Sequence, residues 1–163
     1  MRFLITIFIL VIVSSLMFVS PTIADIQPVS AITGFWGNVG SVAINGNIVY
    51  VGTEFGVAIL DVSDPANPDQ IAFCSLEYTS GSWRLAYSEG KVYALRYNSS
   101  HLVVIDVEDP NDPQEISRTS DLTGSYNIFV NETYAYLTSS LGLIVLDISD
   151  PAEPIEIAVC DTV

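Results

Sequence analysis

Positive charge is scarce in this 163-residue chain: 5 Lys and Arg stand against 19 Asp and Glu, a formal net charge of −14. A surface so acidic repels phosphate backbones, which argues against nucleic acid as a partner, and it disfavours docking on anionic lipid headgroups. Cations, basic proteins and neutral sugars remain compatible. Histidine is scarcer still, since His101 is the only one. One His and two distant Cys cannot build the usual zinc site, and no Gly-x-Ser-x-Gly elbow occurs. No catalytic residue, metal ligand or cofactor is therefore expected, and the chain reads as a non-enzyme. Beyond the N-terminal segment no sustained 3.6-residue apolar period occurs, so no substantial helix is expected.

What is plentiful is apolar sequence, 50% of the chain, enough to bury a sizeable core. Part of it is concentrated at the N-terminus. Met1-Arg2 supplies a positive start, Phe3 to Val13 is apolar apart from Thr6, and Ser20-Pro21-Thr22-Ile23-Ala24 is a small-residue, turn-prone close. That order is expected of a secretory signal peptide over residues 1–24. The competing reading is an uncleaved anchor, for which the run is slightly short of the roughly 20 residues of a bilayer span. Both place the body, residues 25–163, outside the cytoplasm, secreted or at the cell surface, with no other membrane contact expected.

The body repeats itself. Gly56-Val57-Ala58-Ile59-Leu60-Asp61-Val62-Ser63-Asp64-Pro65-Ala66-Asn67-Pro68 aligns with residues 101–113 and again with 142–154. Upstream of each copy stands a Tyr in an apolar alternation, Tyr50, Tyr93 and Tyr136, spaced 43 and 43. The Asp positions 61, 106 and 147 are spaced 45 and 41, because the second copy carries two extra residues. Each copy parses into four short strands. In the first they run about 39–44, 48–53, 57–62 and 70–76, with an Asn45-Gly46-Asn47 hairpin turn and a rigid Asp-Pro-x-x-Pro exit. The third strand, apolar on both faces, is expected to be central and covered on both sides.

Four antiparallel strands per roughly 43 residues is the blade pattern of a β-propeller. Val-Ala-Ile-Leu-Asp, Leu-Val-Val-Ile-Asp and Leu-Ile-Val-Leu-Asp, each followed by Asp-Pro-x-x-Pro, resemble the LVIVD-repeat family over residues 28–163. The resemblance implies extracellular or surface propellers and brings no common catalytic activity. The expected fold is all-β, with three blades over about 34–76, 77–120 and 121–160, and an incomplete ring. An extra outer strand is expected at Pro28–Thr33, which aligns with the fourth strands. Known rings close with roughly four to eight blades. The expectation is therefore a fragment with its missing blades downstream, or two chains closing one six-bladed ring.

Cys74 and Cys160 occupy equivalent positions in blades one and three, too far apart to bond, so two free, partly buried thiols are expected. Hairpin alternation sends the four-to-one and two-to-three loops to one rim. There the candidate ligand-binding residues gather: Trp36, Trp83, Arg84, Tyr126, Asn127, Tyr97 and His101. Aromatic faces beside polar groups can bind sugars or protein side chains, and the competing reading is that each aromatic plugs a gap between blades. The opposite rim carries Asp61/Asp64, Asp106/Asp109 and Asp147/Asp150. Their oxygens could serve calcium, but a turn-shaping role before proline is favoured. Asn98-Ser99-Ser100 and Asn131-Glu132-Thr133 fit the N-glycosylation pattern and also suit turns. The function expected is a binding or scaffold module for an unknown protein or carbohydrate at the cell surface. The alternatives are a purely structural segment, or part of a propeller enzyme whose catalytic residues lie in missing blades.

Overall fold

The computed structural model describes residues 37–77, 81–99, 101–120, 122 and 124–161. The expected signal peptide, the extra strand at 28–33 and Trp36 lie outside them. Among the described residues there is no helix, and therefore none long and apolar enough to cross a membrane.

Twelve strands form three antiparallel four-stranded sheets, each a simple meander. Blade one is β1 (Ser41–Asn45), β2 (Ile48–Gly52), β3 (Gly56–Asp61) and β4 (Asp69–Ser75). Blade two is β5 (Trp83–Ser88), β6 (Lys91–Arg96), β7 (Leu102–Asp106) and β8 (Gln114–Thr119). Blade three is β9 (Ser125–Val130), β10 (Tyr134–Ser139), β11 (Gly142–Asp147) and β12 (Ile155–Cys160). The repeat register carries through to the ladders: Tyr50 pairs with Ile59, Tyr93 with Val104 and Tyr136 with Val145. The architecture is a β-propeller segment whose ring does not close.

Alternation along each strand splits the side chains between two faces. The forward face of blade one (Tyr50, Val57, Ile59, Cys74) packs on the back face of blade two (Leu85, Val92, Ala94, Val103, Ile105). The forward face of blade two (Tyr93, Leu95, Leu102, Val104) packs on the back face of blade three (Ile128, Val130, Ala135, Leu137, Ile144, Leu146). A small third cluster, Val51, Ala58 and Leu60, lies on the back of blade one. Strands β3 and β7 are buried on both faces, as their sequences require. Strand β11 departs from that expectation. Ile144 and Leu146 are buried against blade two, but Leu143 on the other face is 37% exposed.

One recurrent feature was not foreseen. Each fourth strand carries a β-bulge at the same place, where Leu60, Ile105 and Leu146 skip a residue opposite them. The extra residue is an isoleucine every time: Ile71, Ile116 and Ile157. Ile71 and Ile116 pack against the two inter-blade cores, whereas Ile157 is 52% exposed.

The Asp-Pro turns have a clear local cause. Asp61 and Asp147 each accept hydrogen bonds on Oδ1 from the backbone N–H and hydroxyl of Ser63 and Ser149, and Asp106 accepts from the Glu108 N–H at 3.0 Å. Asp64, Asp109 and Asp150 each accept the backbone N–H two residues on, at 2.9 to 3.0 Å. All six carboxylates are thus engaged in shaping turns. The bonds to the serines hold the Asp61 and Asp147 carboxyls below their usual range, and those from Asn67 and Ala66 do the same for Asp64.

Candidate functional site

The first strands β1, β5 and β9 lie side by side across the three blades and line a groove of about 270 Å³, with Val42, Ile44, Leu85, Tyr87, Ile128 and Phe129 on its walls. Above this groove is the rim formed by the four-to-one and two-to-three loops. It is built around Arg84, the second residue of β5. The guanidinium Nη1 donates to the Gly40 carbonyl at 2.6 Å, tying blade two to blade one. Its carbon sits 4.9 Å from the centre of the Tyr97 ring, a cation–π distance. Tyr97 in turn meets Tyr126 of blade three, ring centres 6.0 Å apart and tilted by 49°. Blades two and three therefore contribute to one continuous Arg–Tyr–Tyr cluster, which the Gly40 carbonyl ties to blade one.

The tyrosines are accessible, Tyr97 at 45% and Tyr126 at 38%. Among the described residues no carboxylate pairs with Arg84; the ion pairs present use Lys91 with Asp106 and Glu108, and Arg118 with Glu115. Asn127 follows Tyr126 and is exposed beside it. His101 is half-buried, its Nδ1 2.9 Å from the Ser99 hydroxyl, and its carbonyl accepts the Arg96 N–H. It props the loop that carries Tyr97.

Trp83 corrects the sequence reading. It is 1% exposed, set in the core between blades one and two. Its partner is Gly52, where an added Cβ would stand 3.2 Å from both the Trp83 Cβ and carbonyl oxygen. Trp83 is a wedge between sheets and has no face to offer a ligand. The signal available in the sequence was Gly52, the end residue of a strand otherwise β-branched or aromatic, which leaves room for a large neighbour.

The two-residue insertion of copy two also has a structural role. Asn98, at φ +53°, donates its N–H to the Ser125 carbonyl at 2.8 Å, and Ser125 donates back to the Ser99 carbonyl at 3.2 Å. This bridge pins the loop of blade two to the first strand of blade three and brings Tyr97 to Tyr126.

The LVIVD repeat family matches residues 36–74 and 124–162, the first and third copies. The chain carries LVIVD repeats. The middle copy, which the family pattern does not reach, is the one with the insertion. No curated protein matches the chain. Among solved structures, apo AztD from Citrobacter koseri is similar at 18% identity and a TM-score of 0.50, over 76% of this chain and 35% of that one. A glutaminyl cyclase from Myxococcus xanthus is similar at 16% identity and a TM-score of 0.49, over 69% of this chain and 50% of that one. The LVIVD-repeat chain thus spans half the length or less of these propeller-like neighbours, and the likeness is one of fold.

Proposed function

We propose that this LVIVD-repeat protein is a non-catalytic, extracytoplasmic binding module that holds a carbohydrate or protein of the cell surface on the rim where Arg84, Tyr97 and Tyr126 meet. The observation that carries this reading is the cluster itself, a guanidinium with no carboxylate partner among the described residues, laid against the accessible Tyr97 ring, which in turn meets the accessible Tyr126 ring. Tyrosine faces accept the C–H surfaces of sugars and apolar side chains, and the guanidinium supplies directed donors. The extracytoplasmic part rests on the signal-peptide order of Met1 to Ala24.

The test is binding to an array of surface glycans and peptides by the protein and by Tyr126→Ala and Arg84→Ala, with far-UV circular dichroism to check folding. Binding that falls at least tenfold in both variants with unchanged spectra is expected. Equal binding by all three removes the rim as the site, and absence of any binding by the parent protein leaves a purely structural segment.

A further inference from the structure

Asn45-Gly46 is the single Asn-Gly pair in the chain. It lies at the tip of the β1–β2 hairpin, where Asn45 pairs with Ile48 while Gly46 and Asn47 span the turn. Gly46 holds φ +57°, the left-handed value that a tight hairpin asks of a glycine in the first central place. Asn45, Gly46 and Asn47 are all exposed. The Asn47 carbonyl anchors the turn by accepting the Val62 N–H at 2.8 Å, but the Gly46 N–H is hydrogen-bonded to no described residue. A Cβ on Gly46 would meet nothing within 4 Å. The tip therefore leaves open the approach to a backbone nitrogen that takes no part in the ladder.

The Asn45 side chain meanwhile reaches across to the next blade. Its Nδ2 donates to the Tyr87 hydroxyl oxygen at 2.8 Å. The same oxygen accepts the Gly90 N–H at 3.1 Å, and the Tyr87 ring stacks on Tyr50 with centres 5.6 Å apart and planes 8° apart. Asn45 thus ties the first hairpin of blade one to that of blade two. The corresponding tips are built differently. Blade two has Glu89-Gly90, and blade three has Asn131-Glu132. The Asn131 Oδ1 accepts the N–H groups of Thr133 and Tyr134 at 2.9 and 2.7 Å, which keeps its side-chain carbonyl from swinging onto the nitrogen of Glu132.

We propose that Asn45 is a self-modifying site whose deamidation cuts the side-chain tie between blades one and two. The Gly46 nitrogen, its proton taken by hydroxide, attacks the Asn45 Cγ and closes a five-membered cyclic imide. The Cγ–Nδ2 bond breaks, and Nδ2 leaves as ammonia after taking a proton from water. Water then opens the imide at either carbonyl, giving aspartate or isoaspartate. Overall water enters and ammonia leaves, and nothing is oxidised or reduced. Glycine suits the step because no Cβ shields its nitrogen and its backbone turns freely. The atom lost is the donor to Tyr87, so the tie and the reaction compete for one amide. The site lies on the rim of the Asp-Pro turns and is independent of the ligand rim.

The test ages the purified chain at mildly alkaline pH. Each asparagine is followed by peptide mass spectrometry, and an isoaspartyl methyltransferase assay reads the lengthened product. Asn45 is expected to convert ahead of every other asparagine, and Gly46→Ala should stop the conversion over the same period. Tyr87→Phe should speed it about fivefold, the factor that one ordinary hydrogen bond carries. The aged product, separated by its extra negative charge, should melt about 2–4 °C below the fresh chain. An Asn45 that outlasts other asparagines, or converts as fast in Gly46→Ala, overturns the site. An unchanged rate in Tyr87→Phe, or an aged product that melts with the fresh chain, overturns the tie.

Discussion

Replacing Trp83 by alanine tests whether the rim and the core are separate. The indole is 1% exposed between two sheets, each held by its own ladder. An aromatic of this kind buries about 150–250 Å². At about 25 cal/mol/Å² that is roughly 4–6 kcal/mol of transfer free energy, an upper value. Measured Trp→Ala costs of about 3–5 kcal/mol agree, because a void between rigid sheets relaxes only in part. We expect a loss of about 4 kcal/mol. With a urea dependence of about 2 kcal/mol/M, the midpoint should fall by about 2 M, followed by far-UV circular dichroism so that loss of the tryptophan does not remove the signal. Trp83→Phe should lose roughly half as much. A midpoint shift below about 0.5 M for Trp83→Ala would refute the wedge, and so would a variant of unchanged stability that no longer binds a rim ligand.

Two further outcomes are expected. Gly56→Ala places a Cβ 2.1 Å from the Cys74 carbonyl oxygen at φ +152°, whereas Gly46→Ala, at φ +57°, meets nothing within 4 Å. The first should cost more than about 2 kcal/mol and the second about 1 kcal/mol, read as denaturation midpoints. The depressed carboxyls of Asp61, Asp64 and Asp147 contribute stability that is present above the ordinary carboxylate value of about 4. That contribution is lost as pH falls through their lower folded values. Melting temperature should therefore fall modestly on the acid side, since these carboxyls are exposed and screened by solvent, and Asp61→Asn with Asp147→Asn should flatten that slope.

The repeat made the fold legible because each copy states the same pattern and errors average out. Tyr50, Tyr93 and Tyr136 located the second strands, and the paired Asp residues located the turns, since both obey local rules. Strand β1 begins at Ser41 and not at Val39, because the bond of the Gly40 N–H to the Gly52 carbonyl lies outside the regular ladder. Of the rim residues the sequence located Arg84, Tyr97 and Tyr126 but could not say that they touch, since their meeting depends on the Asn98–Ser125 bridge between blades. Trp83 and Tyr126 are in sequence register yet differ in fate. Burial of the first turns on Gly52, a residue of another blade, so the signal lies 31 positions upstream of Trp83 and outside its own repeat. The isoleucine bulges escaped notice because one extra apolar residue in an apolar strand leaves the composition unchanged.

Those bulges have a consequence for how such a chain can change. In an unbroken strand the side-chain phase is rigid from end to end, so adding or removing one residue turns everything beyond it over. The unpaired isoleucine works as a phase shifter, with Asp69 and Gln70 set on one side and Ala72 to Ser75 on the other. The Asp-Pro loop feeding one end of the strand is thereby decoupled from the loop leaving the other. Duplicated units can then diverge along one edge of the molecule while the opposite edge keeps its pattern.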